Sequence, residues 1–267
     1  MVDNSEKFRW LVRLGYAARG VVYVVLGYLA LTTASEAQDG GDAVFDLLRG
    51  VPLGTVVLWL MALGLLAYAI FKFISAIGDV QHHGSDPKGL MKRVGDGASA
   101  VAHTILAFAA CQYASGSSRD SSAGSEGSQQ VAGSILEMPL GDVVIGIVGV
   151  GFGVGALMQA KSAITAAFMN HVGPGAPAAV EPIGRLGHAA RAVVFAIIGW
   201  SLVQSAWLES EAQIKGLGDA LMSLRESGTL YTVVAIGLLL FGIFSLVVAR
   251  YRIIPDVHRG DLKPSLH

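Results

Sequence analysis

The sequence predicts an all-α integral membrane protein, with six transmembrane helices laid out as three tandem two-helix hairpins around a pseudo-threefold axis along the membrane normal. Composition, six long apolar runs and one internal repeat carry that prediction. Of 267 residues, 53% are hydrophobic and only 15% are charged, and the mean hydropathy is +0.56. A water-soluble domain has a different balance. The net charge of -1 carries little information until the charges are placed along the chain. The lone cysteine, Cys111, allows neither an internal disulfide nor a paired-thiol metal site, and reads as a small buried apolar residue.

A helix rising 1.5 Å per residue needs about 20 apolar residues to cross the hydrocarbon layer. Runs of that length lie at about 17–35, 53–77, 94–114, 140–163, 187–208 and 229–250. Each is nearly free of charge between its ends. Lipid offers backbone groups no hydrogen-bond partner, so each run is predicted to be helical. Six crossings put both chain ends on one side. Of the 19 Lys and Arg residues, only Arg49, Arg119, Lys215 and Arg225 fall on the other side, where the loops are acidic. That bias predicts a multi-pass protein of the cell (inner) membrane with cytoplasmic N- and C-termini. The basic start and small residues near Ala34 also fit a cleavable signal peptide. Cleavage would remove the first helix of a repeated unit, so the segment is read as a span.

The repeat is visible in the openings of the odd spans. Arg13-Leu14-Gly15-Tyr16-Ala17-Ala18-Arg19 matches Arg185-Leu186-Gly187-His188-Ala189-Ala190-Arg191, and Arg93-Val94-Gly95-Asp96-Gly97-Ala98-Ser99 is a weaker copy. Before the even spans, Pro52-Leu53-Gly54 matches Pro139-Leu140-Gly141, and Gly41-Asp42-Ala43 matches Gly218-Asp219-Ala220. The repeats run over about 13–80, 93–170 and 185–254 of a single membrane domain, 1–267, with short tails 1–12 and 255–267. A short amphipathic segment is expected before the even spans, with Asp42 and Asp219 as N-caps. Phe45, Leu47 and Leu48, or Leu221, Met222 and Leu224, are expected at the outer interface. One hairpin cannot enclose its polar and small residues alone, whereas three packed together can. All copies run in one direction, which places the symmetry axis along the membrane normal.

At these residues the chain resembles a bacterial membrane-protein family catalogued as domain of unknown function 1206, whose two-helix unit commonly occurs three times. The resemblance extends over nearly the whole chain. It rests on the openings at Arg13 and Arg185 and on Gly64-Leu65-Leu66-Ala67-Tyr68 with Lys72 in the second span. The middle copy departs from the others, with Ser99 in place of arginine and Gly155 in place of Tyr68. The resemblance implies the same architecture and no particular chemistry.

Residues 115–128, rich in Ser and Gly, read as a flexible outer linker, and 173–184, with three prolines, as a stiffer cytoplasmic one. Gly149, Gly151, Gly153 and Gly155 form the densest glycine run, and Gly151-x-x-x-Gly155 has the spacing of a helix-packing groove.

Candidate chemistry concentrates on one stripe of each odd helix. Tyr16, Gly20, Tyr23 and Gly27 recur at steps of four, three and four, as do Asp96, Ala100, His103 and Ala107, and His188, Ala192, Phe195 and Gly199. Facing inward, they place Tyr16, Asp96 and His188 in one layer and Tyr23, His103 and Phe195 about 10 Å deeper. His103 is the most suggestive residue, because ionisable groups at mid-membrane are rare and face interiors or cavities. Its plainer reading is a neutral histidine bonded across helices to Tyr23. Arg13, Arg93 and Arg185, with Arg19 and Arg191 above them, are expected to set topology and contact an anion or lipid headgroups.

No cofactor is expected, since haem needs two axial ligands at one depth and His103 and His188 differ. No metal site is expected either. His82, His83, His171 and His258 lie in loops without enough carboxylate or cysteine support. Nothing resembles a catalytic triad or a nucleic-acid-binding pattern. The expected activity is non-enzymatic, in structure, assembly or regulation, with lipids, other membrane proteins or a second copy as partners. The alternative is a small transporter or channel with a central polar pocket for an anion, a proton or a small solute.

Overall fold

The computed structural model describes residues 4–32, 54–78, 84, 86–116 and 125–253. Its helices are α1 (Asn4–Thr32), α2 (Gly54–Gly78), α3 (Pro87–Ser115), α4 (Ser125–Leu136), α5 (Gly141–Thr165), α6 (Val180–Leu208), α7 (Leu217–Met222) and α8 (Thr229–Tyr251). Six of them, α1 from Val12 onward, α2, α3, α5, α6 and α8, are long and apolar enough to cross a membrane. Among the described residues there is no β-strand. The protein is therefore an all-helical, multi-pass membrane protein.

The odd spans start several residues earlier than the apolar runs do, because the Arg-Leu-Gly openings are themselves helical. Capping explains the ends of α3. The Asp86 carboxylate accepts from the Gly89 N–H at 3.1 Å, Pro87 occupies the first turn where no donor is needed, and Gly116 closes the helix at φ 79°. The linker reading of 115–128 needs correction at its end, since Ser125 already begins α4. Asp42, Phe45, Leu47 and Leu48 lie outside the described residues. Asp219 is not an N-cap. The cap of α7 is Gly216, and Asp219, three residues on, accepts from its N–H at 3.1 Å. Leu221 is fully buried rather than interfacial. On the opposite face, Pro182 sits in the first turn of α6, so the stiff linker ends sooner than its prolines imply.

The closest-packed helices are not those within a repeat. The most extensive contacts join α5 to α6, α2 to α3 and α1 to α8, followed by α6 with α8 and α1 with α2. Small residues set these approaches. A Cβ on Gly242 would lie 2.5 Å from the Val24 nitrogen and 2.7 Å from the Gly20 carbonyl, and one on Gly149 would lie 2.9 Å from the Gly199 carbonyl. The order α3–α2–α1–α8–α6–α5 makes an open ring. Its free edges, α3 and α5, scarcely approach each other, so the two spans of the middle repeat stand on opposite sides of a seam.

The predicted Gly151–Gly155 groove is also corrected. A Cβ at Gly151 or Gly153 would meet nothing within 4 Å, while Gly155 lies under Phe195. Close packing falls to Gly149, itself in the predicted run, and to the Gly153 nitrogen, each 2.9 Å from where a Cβ on Gly199 would lie, while α5 is buried along Gly141, Ile145, Gly149 and Ala156. Only 11% of the most apolar window of α5 is buried, against 38–61% for the other spans.

Candidate functional site: a buried arginine pair

One end of the bundle is where α1, α3 and α6 begin and α2, α5 and α8 finish. Polar pairs recur there between each odd helix and the even helix packed on it. Lys72 of α2 meets Asp96 of α3 at 2.5 Å, and Gln159 Oε1 of α5 meets His188 Nδ1 of α6 at 2.5 Å. Ser245 of α8 accepts from Arg19 Nη2 of α1 at 3.2 Å. Lys72, Gln159 and Ser245 stand at matching places in the three even spans, so one position of the repeat supplies all three partners.

Arg93 and Arg185 cap the helices that precede them. Arg93 donates to the carbonyls of Ala76 and Ile77 at 2.7 and 2.8 Å. Arg185 donates to those of Ala163 and Ile164 at 3.1 and 2.5 Å. Four orphan carbonyls at a helix C-terminus carry the negative end of its dipole, which makes each guanidinium a cap. These two arginines are thus engaged by protein. Arg13 lies 5.9 Å from the Trp10 ring centroid, and its Nε is buried without a hydrogen bond.

Arg19 and Arg191 turn into the bundle. Arg19 is 8% exposed, donates to the Tyr68 hydroxyl at 2.7 Å, and lies 4.6, 5.0 and 5.1 Å from the ring centroids of Tyr16, Tyr68 and Phe241. Arg191 lies 4.4, 4.6 and 5.5 Å from those of Phe241, Phe195 and Tyr23. Aromatic rings stabilise such cations by about 2 kcal/mol when water is excluded, but they add no negative charge. Two guanidinium carbons that share the Phe241 ring are at most about 10 Å apart, where unit charges repel by about 1.7 kcal/mol or more at an effective dielectric of 20. Both Nε atoms are buried without a hydrogen-bond partner, and neither arginine forms an ion pair among the described residues. A buried charge normally has a counter-charge.

The remaining predicted residues gather around this pair. Tyr16 is buried edge-on to Tyr68, with ring centroids 5.1 Å apart, and Tyr23 packs on Phe241 at 4.9 Å. His103 does not bond across helices to Tyr23. Its Nδ1 lies 2.7 Å from the Ser99 carbonyl of its own helix, which can only accept, so that nitrogen carries the proton. The ring lies on Tyr68 at 4.5 Å. His188 stacks on Phe168 at 4.8 Å, and its Nε2 is buried without a partner. Among the described residues no three His, Cys, Asp or Glu side chains group as metal ligands.

The sequence pointed Arg19 and Arg191 to an anion or lipid headgroups without marking them as inward-facing, and it gave no sign of Phe241, Gln159 and Ser245. Helical spacing held the missing signal. Arg19 comes three residues after Tyr16 and four before Tyr23, and Arg191 stands in the same relation to His188 and Phe195, so both lie on the inward stripe.

Comparison with known proteins places the chain without adding an activity. No solved structure matches it. It is 31% identical over 251 residues to "Uncharacterized protein YxxB" of Bacillus subtilis (strain 168), an alignment covering 90% of each chain. A family model matches three times, at residues 14–79, 94–166 and 186–252, so the internal repeat is three copies of the unit that the model describes. The chain belongs to the family described as Domain of Unknown Function (DUF1206).

Proposed function

We infer that this is a non-enzymatic membrane protein that binds an anionic group inside its helix bundle and carries it toward or across the bilayer. The supporting observation is the Arg19–Arg191 pair: a buried and a part-buried guanidinium on one aromatic ring, each with a buried, unbonded Nε and, among the described residues, no ion pair. Lys72 and Asp96 cancel each other's charge, so the interior keeps the excess of positive charge that an anion would neutralise. The setting is a pseudo-threefold bundle about the membrane normal, supported by the matching places of Lys72, Gln159 and Ser245 and by the like caps of Arg93 and Arg185. The charge bias favours an inner-membrane location with both termini cytoplasmic, which puts the pair in the cytoplasmic half of the bilayer. The test is uptake of radiolabelled chloride or nitrate into proteoliposomes. R19Q and R191Q, folded by gel filtration, are expected to lose uptake, and wild-type rates in both variants overturn the reading.

A second reading, assembly with another membrane protein or a second copy, is favoured by α5, which buries one narrow stripe and leaves Gly151 exposed with open space beside it. Cross-linking in native membranes tests it. A partner seated there is lost in G151L, and a monomer in both forms removes this reading.

A further inference from the structure

The ring of helices is open at one place, and the internal symmetry fails at the same place. The middle repeat has Ser99 where the others have Arg19 and Arg191, and Gly155 where they have Tyr68 and Phe241. Ser99 lies on α3 and Gly155 on α5, the two spans that flank the seam and scarcely approach each other. A third arginine and a third ring are therefore missing on two spans that, among the described residues, have little backbone contact with each other.

Both walls of this seam lead to the arginine pair in two contacts. On the α3 side, His103 lies on the Tyr68 ring at 4.5 Å, and the Tyr68 hydroxyl accepts from Arg19. On the α5 side, a Cβ on Gly155 would lie 3.2 Å from Phe195, which also packs on Phe152 at 5.3 Å and holds Arg191 at 4.6 Å. The α5 flank is apolar and open, since Val148, seven residues before Gly155 and so on the same helical face, is exposed. The unbonded polar groups of the pair are hydrogen-bond donors, the two buried Nε–H groups.

We propose that the ligand is a membrane-borne amphiphilic oxyanion, an acidic head on an acyl chain, which enters between α3 and α5. Its head is held by Arg19 and Arg191 while its tail lies along the seam past His103 and Gly155. Unbonded donors with positive charge take a head that only accepts, and an apolar passage open to lipid takes a chain that never enters water. The head chemistry is common to a fatty-acid carboxylate and a phospholipid phosphate. This inference rests on reading the arginine pair as an anion site.

The test is binding to the full-length protein in detergent by scintillation proximity, with tritiated oleate, tritiated phosphatidylglycerol and radiolabelled chloride as separate probes. At least one acyl probe is expected to bind at one site per chain. R19Q is expected to weaken it roughly tenfold or more, the scale for losing a charge-assisted bond, and G155F, which restores a ring in the seam, by a similar factor. The probe that binds identifies the source of the head. Chloride binding that needs Arg19, with no acyl probe bound, overturns the amphiphile and leaves the anion reading intact. Failure of all three probes overturns both. Should G155F not fold, an oleate analogue carrying a diazirine on its chain must label α3 and α5 of the wild type. Labelling confined to other helices overturns the route.

Discussion

The Lys72–Asp96 pair yields the sharpest energetic prediction. Nζ and Oδ1 are 2.5 Å apart, and the two side chains are 13% and 11% exposed. At an effective dielectric of 20 the attraction is about 7 kcal/mol, but withdrawing each ion from water costs several kcal/mol, so the pair gains little over an apolar one. Removing a single partner leaves the other charge buried and is expected to cost about 3 kcal/mol or more in either D96N or K72M. The double variant removes both charges and is expected to cost no more than one single variant. The assay is reversible unfolding in mixed micelles titrated with dodecyl sulfate, followed by helical circular dichroism, and analysed as a double-mutant cycle. Coupling of at least about 2 kcal/mol is expected. Single costs that simply add, or a D96N variant as stable as the parent, would refute the claim that these groups answer each other in a dry interior.

Three further outcomes are open to the same unfolding assay. G242A drives a methyl against the Val24 nitrogen and the Gly20 carbonyl and is expected to cost about 1–3 kcal/mol, whereas G151A, which meets nothing, is expected to be neutral or to stabilise by up to about 1 kcal/mol. R185M frees the carbonyls of Ala163 and Ile164 and is expected to cost about 2 kcal/mol, with hydrogen exchange accelerated in the last turn of α5. Y231F removes a buried 2.6 Å bond from the hydroxyl to the Ala30 carbonyl and is expected to cost about 1–2 kcal/mol.

The spans were legible because crossing lipid imposes a length and an absence of charge that few other structures share. The repeat was legible because Arg13 and Arg185 open near-identical heptapeptides. What the repeat withheld was who neighbours whom. Equivalence says that Gly27 and Gly199 play matching parts, but not that Gly27 packs on Leu239 of α8 and Gly199 on Gly149 of α5. Those contacts join different repeats and depend on surfaces that meet only after assembly.

The separate roles of the arginines were hidden for a related reason. The positive-inside pattern counts charges by side of the membrane and ignores helical face. It therefore treats Arg185, a helix cap, and Arg191, six residues on and turned into the bundle, alike. The seam was half legible, since Ser99 and Gly155 are visible departures, but their meeting at one opening needed the helix order.

The arginine pair itself can be examined directly by anomalous diffraction from crystals of the full-length protein grown in bromide. The account predicts a bromide peak within hydrogen-bond distance of the Nε atoms of Arg19 and Arg191, beside Phe241, that disappears in R191Q. Well-ordered arginines with no peak between them, and Nε groups bonded to protein or water instead, would contradict it.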